Sequence, residues 1–197
     1  MLVIDIETTG VDYNRHSAIS IGALEFENPS NAFYIEFKPW LGAEIDPEAL
    51  DINGLNINNI VLTHNDGLSR FNEWVLELKE RTPVGQNIGQ FDMRFLFTSY
   101  NKAGFHWPFG HRVIDLHSII YYENLKLRRK TPIDDSTRCS ALSSKKIFEF
   151  AGLPPEPKPH NSLTGAKMVA EVMSRIIYGN ILFEEFKKYG IPDYLKK

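Results

Sequence analysis

The sequence predicts an α/β protein built around a mixed sheet, and three observations lead to that expectation. Strand-like runs come first, in residues 1–10, 16–26 and 31–37, with links short enough for an antiparallel meander. Helical and strand-like stretches then alternate, a pattern that adds further strands and flanking helices to a sheet. No repeat, low-complexity stretch or interdomain linker interrupts the 197 residues, so one core is expected.

The first run, Leu2, Val3, Ile4 and Ile6, is rich in β-branched residues and ends in the turn chemistry of Thr8-Thr9-Gly10. The second carries Ala18, Ile19, Ile21, Ala23, Leu24 and Phe26. The third alternates Phe33, Ile35 and Phe37 with Tyr34 and Glu36, and Asn28-Pro29-Ser30 reads as the turn between the two. Residues 46–63 mix Asp, Asn, Pro and Gly with scattered apolar positions and read as loop with short helices. Leu68, Phe71, Val75 and Leu78 recur at helical spacing over 67–80, and Thr82-Pro83 closes that helix. Val84-Gly85-Gln86-Asn87 reads as a short strand, and Phe91, Phe95, Leu96 and Tyr100 as a helix ended by Gly104. Val113-Ile114-Asp115-Leu116 is a further strand, followed by a helix over 117–127.

Residues 128–139 are polar and turn-prone, an exposed loop. A helix over 140–151 stops at Gly152, after which Pro154, Pro155, Pro157 and Pro159 make a stiff extended connection. It delivers His160 to a long helix over 161–178, capped by Asn161 or Ser162 and striped by Leu163, Ala166, Val169, Ala170, Met173 and Ile177. A last helix over 181–189 and a Lys-rich tail are expected after it.

The formal net charge of −3 excludes a globally basic nucleic-acid coat. A nucleic-acid enzyme is not excluded, because a carboxylate-rich site lowers the count and binding can rest on a local patch. Cys139 is the only cysteine, which rules out an intramolecular disulfide and points to a reducing compartment. The opening run passes directly into acidic residues and no stretch has the length of a membrane span. A soluble cytoplasmic protein with no membrane partner is the expectation.

Strand side chains alternate with period two, so Asp5 and Glu7 face the same side. Two anions on an apolar strand repel each other and resist burial, and a divalent cation is the compensation their hard oxygens suit. The rival reading is a wet edge strand, and the pair alone leaves the two about even. Two further places carry polar chemistry at element ends. In Gly85-Gln86-Asn87-Ile88-Gly89-Gln90-Phe91-Asp92 a strand runs into a helix with Asp92 in its first turn; in Pro159-His160-Asn161 a rigid loop enters a helix. The bland readings are an acid favoured by a helix dipole for Asp92 and a capping histidine for His160. Asp115, at a strand end, takes a structural role outside any metal shell.

Asp5-Ile6-Glu7-Thr8-Thr9-Gly10, then Asn87 with Phe91-Asp92 and Phe95-Leu96, then His160-Asn161, resemble the three motifs of the DEDDh 3′→5′ exonucleases. That family includes the proofreading subunit of bacterial DNA polymerase III, ribonuclease T and oligoribonuclease. The resemblance runs from residue 1 to about 178 in the family's order, with a highly specific first motif and a partial third. It implies a ribonuclease H-like fold over residues 1–180, with 181–197 as a C-terminal helix and tail of the same domain. It also implies two Mg²⁺ or Mn²⁺ ions and removal of nucleotides from the 3′ end of single-stranded DNA or RNA. Oligomeric state stays open, a homodimer included.

Two cations roughly 3.5–4 Å apart activate water and stabilise the leaving oxygen of a phosphodiester. By similarity, Asp5 bridges the ions, Glu7 holds the one that activates water, and Asp92 serves the other. His160, with an unperturbed pKa of about 6.5, takes the proton as general base. Thr8, Thr9, Asn53, Leu55, Asn87 and Phe91 are carried over as substrate contacts. Lys126, Arg128, Arg129 and Lys130, with Arg138, Lys145 and Lys146, are either a solvated face or a phosphate grip.

One position departs from the family. Five residues after the histidine the family places an Asp, and here stands Gly165. Thr164 is a poor substitute and Glu171 lies nearly two turns on. The expectation is a site one ligand short, either a weakened or inactive enzyme or a non-catalytic nucleic-acid-binding protein on the same fold. Gly inside a helix also costs roughly 1 kcal/mol relative to Ala, with no benefit visible in the sequence.

Overall fold

The structure, a computed structural model, describes residues 1–197. Its centre is a five-stranded sheet of β1 (Leu2–Thr8), β2 (Ala18–Glu25), β3 (Asn28–Glu36), β4 (Pro83–Gly85) and β5 (Ile114–Asp115), in the order β3-β2-β1-β4-β5. The first three strands pair antiparallel and β1, β4 and β5 pair parallel, the mixed sheet that the sequence predicts. The β2–β3 turn is tighter than expected: Glu25 pairs with Asn28, so Asn28-Pro29-Ser30 belongs to β3 and the chain reverses at Phe26-Glu27.

Period-two alternation sorts β1 between two cores. Leu2, Ile4 and Ile6 pack with α2 (His64–Glu77) and α3 (Asp92–Ala103) on one face. Val3 points to the other, towards α4 (Leu116–Lys126), α5 (Ser144–Phe150) and α6 (Ser162–Tyr178). Asp5 and Glu7 share the register of Val3, so they face α6.

The start of α6 lies almost against the sheet. Asn161 caps it by accepting from the N–H groups of Leu163 and Thr164, both at 3.1 Å, and Ser20 and Ser162 hydroxyls meet at 2.6 Å. Gly22, the partner of Asp5 across the β1–β2 ladder, makes this approach physically available: a Cβ there would stand 2.1 Å from the Leu163 nitrogen. Only glycine leaves the backbone room to come that close.

Two expected helices come out differently. Residues 140–143 are drawn into a bridge with the preceding loop, where the Ala141 N–H donates to the Pro132 carbonyl at 2.8 Å, so α5 begins only at Ser144. Residues 181–189 hold only a short 3-10 turn, Glu184–Phe186. The buried pair Glu171–Arg175 claims their backbone. Glu171 accepts from the N–H groups of Leu182 and Phe183, and Arg175 donates to the carbonyls of Phe186 and Tyr189, which ties the segment to α6 through its backbone. Phe186 and Leu195 still close the core on the α6 side. No helix is long and apolar enough to cross a membrane.

Candidate metal centre

The carboxyl ends of the parallel strands β1 and β4 open into a cavity of about 280 Å³. In open α/β sheets this is where ligands bind, at the point where neighbouring connections diverge. β1 delivers Asp5, Glu7 and Thr8 to it, α3 delivers Asp92 on its first residue, and the proline-rich loop delivers His160. Phe91 and Gln86 line it as well, together with Ser144 and Phe148 of α5. Neither Lys nor Arg is among its lining residues.

The helix α1 (Pro47–Asn53) forms another wall through Ala49 and Ile52 and holds two motifs in place. Asn53 donates to the Thr8 carbonyl at 3.2 Å and accepts from the Leu55 N–H at 3.0 Å, and the His160 N–H donates to the Ile52 carbonyl at 3.0 Å. Asn53 is therefore buried scaffolding. Thr9 is scaffolding too: fully buried, its hydroxyl donates to the Glu44 carbonyl and accepts from the Ser17 N–H. Asn87 is exposed with φ +52°, and its carbonyl accepts from Gln90 and Phe91 to start the turn into α3. Thr9, Asn53, Leu55 and Asn87 stand outside the cavity lining, whereas Thr8 and Phe91 belong to it. Asp115 caps α4, accepting from the His117 N–H at 2.9 Å, as its expected structural role requires.

One lining residue carries no motif in the sequence, Glu156. It sits between Pro155 and Pro157 in the segment read as a rigid connector. Its Oε2 lies 3.7 Å from Nδ1 of His160, and ligand atoms of Glu7, Glu156 and His160 fall within 4.8 Å of one another. Its Oε1 is buried with no hydrogen-bond partner, and both polar ends of the Gln86 amide are orphaned in the same way. The only available signal was an acid close before the histidine.

Gly165 has a local reason that the sequence conceals. A Cβ at this position would stand 2.2 Å from Oδ2 of Asp5, 2.8 Å from its carboxyl carbon and 3.4 Å from Oε1 of Glu156. With α6 seated this close to β1, a side chain at 165 displaces Asp5. Thr164 turns to its own helix cap, its N–H donating to Asn161, and Glu171 is committed to Arg175 at 2.7 Å.

Four acids crowded away from water have their pKa values raised. Burial, then the charges of Asp92, Glu7 and Glu156, lifts the Asp5 carboxyl well above its ordinary range. Burial, then Glu156 and Asp92, pushes Glu7 up to about 8. Asp92 is raised to about 7 by burial, with backbone amides pulling down and Asp115 pushing up. Burial raises Glu156 as well, partly offset by His160 and the Asn161 amide. Such a donor set, hard carboxylate oxygens with one imidazole and no neutralising Lys or Arg, fits divalent cations.

The expected basic grip divides. Arg129 lies over the Tyr194 ring at 3.7 Å and lines a separate depression with Lys146, and Lys126 pairs with Glu123 at 3.2 Å.

A mixed sheet of this order, with acids gathered at the ends of β1 and α3, defines a ribonuclease H-like fold carrying an acidic cavity. The chain belongs to the exonuclease family: the family model RNase_T, described as Exonuclease, matches residues 2–173, and the DEDDh resemblance stands. It is 27% identical over 127 residues to the 3'-5' DNA exonuclease Cap18 of Escherichia coli, covering 60% of this chain and 66% of that protein. It is 25% identical over 129 residues to ribonuclease T of Haemophilus influenzae, covering 55% and 56%. The chain thus spans somewhat under two thirds of these relatives. Cell-death related nuclease 4 shares the fold with a TM-score of 0.69 at 19% identity, over 91% of this chain and 64% of that one. Exonuclease I of E. coli does so with a TM-score of 0.69 at 12% identity, over 90% and 41%.

Proposed function

We propose that the chain is a metal-dependent 3′→5′ exonuclease acting on single-stranded DNA or RNA. The observation that carries this reading is the convergence of Asp5, Glu7, Asp92 and His160, from three separate segments, on one cavity without Lys or Arg. Asp5, Glu7 and Asp92 would hold the Mg²⁺ or Mn²⁺ ions. When bound, such ions lower the pKa of an attacking water and stabilise the leaving oxygen. His160 takes the proton of the water from a position fixed by its N–H bond to Ile52 and its contact with Glu156. Thr8 and Phe91 flank the 3′-terminal nucleotide, and the unpaired Gln86 amide offers it a donor and an acceptor. The relatives named for 3'-5' DNA exonuclease and ribonuclease T activity support the chemistry, and the complex of Exonuclease I with an oligonucleotide supports a single-stranded substrate. The lone, exposed Cys139 supports a cytoplasmic setting.

The alternative is a non-catalytic nucleic-acid-binding protein, favoured by the glycine at 165. Four carboxylates around the cavity support the enzyme instead. The test incubates 5′-labelled DNA and RNA oligonucleotides with the chain and Mg²⁺ or Mn²⁺. A ladder shortening from the 3′ end, abolished by EDTA, is expected. Binding without shortening in either metal leaves the non-catalytic reading standing.

A further inference from the structure

We infer that Glu156 is the fourth acid of the metal centre, supplied from the proline-rich loop, and that Gly165 is the space that Glu156 and Asp5 require. This rests on the reading of the cavity as a divalent-metal site. Family members of this type place an acid on the first turns of the helix that follows the histidine. Here the same volume is filled from the opposite wall, by the loop that precedes it.

Four observations converge. Oε1 of Glu156 is buried and unpaired although its side chain is only 13% exposed, a state that native proteins rarely leave without a partner. Its carboxylate shares with Glu7 and His160 a group of ligand atoms within 4.8 Å of one another, the spacing a cation spans. A Cβ at 165 would start 3.4 Å from Oε1 of Glu156, so an acid built there and Glu156 would compete for one place. The same Cβ would meet Oδ2 of Asp5 at 2.2 Å, so the glycine serves Asp5 and Glu156 together. Pro155 and Pro157 restrict the backbone on either side, which lowers the entropy lost in holding an acid at this point. If Glu156 served only to orient His160, Oε2 would suffice and Oε1 would have no task.

Mn²⁺ titrations of the full chain, followed by calorimetry and by the electron paramagnetic resonance of free Mn²⁺, test the assignment. Glu156→Gln is expected to bind Mn²⁺ at least about tenfold more weakly than wild type and to lose most of the Mn²⁺-induced rise in Tm. Its Tm without metal should not fall, because one of four repelling acids has been removed. Gly165→Asp, with Glu156 intact, is expected to weaken Mn²⁺ binding, since Asp5 must move. His160→Ala should weaken Mn²⁺ binding less than Glu156→Gln does, separating the carboxylate as a ligand from a group acting through the imidazole. If Glu156→Gln binds like wild type, if Gly165→Asp binds more tightly, or if His160→Ala reproduces the Glu156→Gln loss, the assignment is overturned. Should Glu156→Gln not fold, Glu156→Ala is read in the same titration. Wild type that binds no Mn²⁺ and leaves oligonucleotides intact sinks the proposed function as well. Wild type that binds and cuts, beside an unchanged Glu156→Gln, sinks this inference alone.

Discussion

Replacing Glu7 by glutamine should stabilise the metal-free protein, and only where the acid would be charged. Glu7 titrates near 4.5 in the unfolded chain and near 8 in the folded one. The folded state therefore binds the proton more tightly: the associated stability is fully present below pH 4.5 and is lost as pH rises through 8. At 1.36 kcal/mol per pKa unit, that difference corresponds to a ceiling of roughly 5 kcal/mol. Protons shared among Asp5, Glu7, Asp92 and Glu156, and local relaxation, bring the expectation down to about 2 kcal/mol. At roughly 2–4 °C per kcal/mol for a chain of this size, the Glu7→Gln variant should melt about 4–8 °C above wild type at pH 8.5 in EDTA. At pH 4.5 the two should melt together. Saturating Mn²⁺ should reverse the order, because wild type gains binding energy that the variant lacks; about 2.7 kcal/mol follows from one ion at 100 times its Kd. Thermal and urea unfolding at the two pH values provide the check. A variant that gains nothing at pH 8.5, or gains as much at pH 4.5, would refute the idea that repulsion between buried charges sets this site's energetics.

Asp92→Asn, which keeps shape and removes charge, should lower the rate of 3′ shortening by at least about 100-fold, measured on a labelled oligonucleotide; a loss below tenfold counts against its role. Gly22→Ala sets a Cβ 2.1 Å from the Leu163 nitrogen, a backbone atom that cannot swing aside. The cost should be about 1–3 kcal/mol or more in urea unfolding, and a wild-type midpoint would mean that α6 is not seated flush on the sheet. Arg175→Leu strands the fully buried Glu171 without its partner and should cost about 3–5 kcal/mol. It should also release residues 181–197 to limited proteolysis, whereas a protease-resistant tail would show that the ion pair does not hold it.

The sheet was legible because its information is local. Leu2, Val3, Ile4 and Ile6 around two acids specify a buried strand with Asp5 and Glu7 on one face, and the structure turns that face to α6. Asp92 could be placed because a helix start is readable from the few residues around it. The expected last helix was a misreading of the same kind of signal. Ile181, Leu182, Phe183 and Phe186 do pack on the core, and Glu171 and Arg175, more than ten residues from the groups they bond, hold the segment there through its backbone instead of as a helix. Asn53 and Thr9, carried over as substrate contacts, bond backbone in the structure, a partnership no motif position reveals.

Gly165 marks the limit most clearly. By itself it reads as a deleted ligand, and only the packing of α6 against β1 shows that a Cβ there would meet the Asp5 carboxylate. Glu156 was equally hidden, since an acid between two prolines resembles any acid in an extended connector. The sequence alone determined the strand-borne acids, the histidine and the family, because periodicity and contiguous motifs are properties of neighbouring residues. Only the tertiary structure brought Glu156 into the cavity and set Gly165 against Asp5, because both depend on how closely segments distant in the chain approach through space.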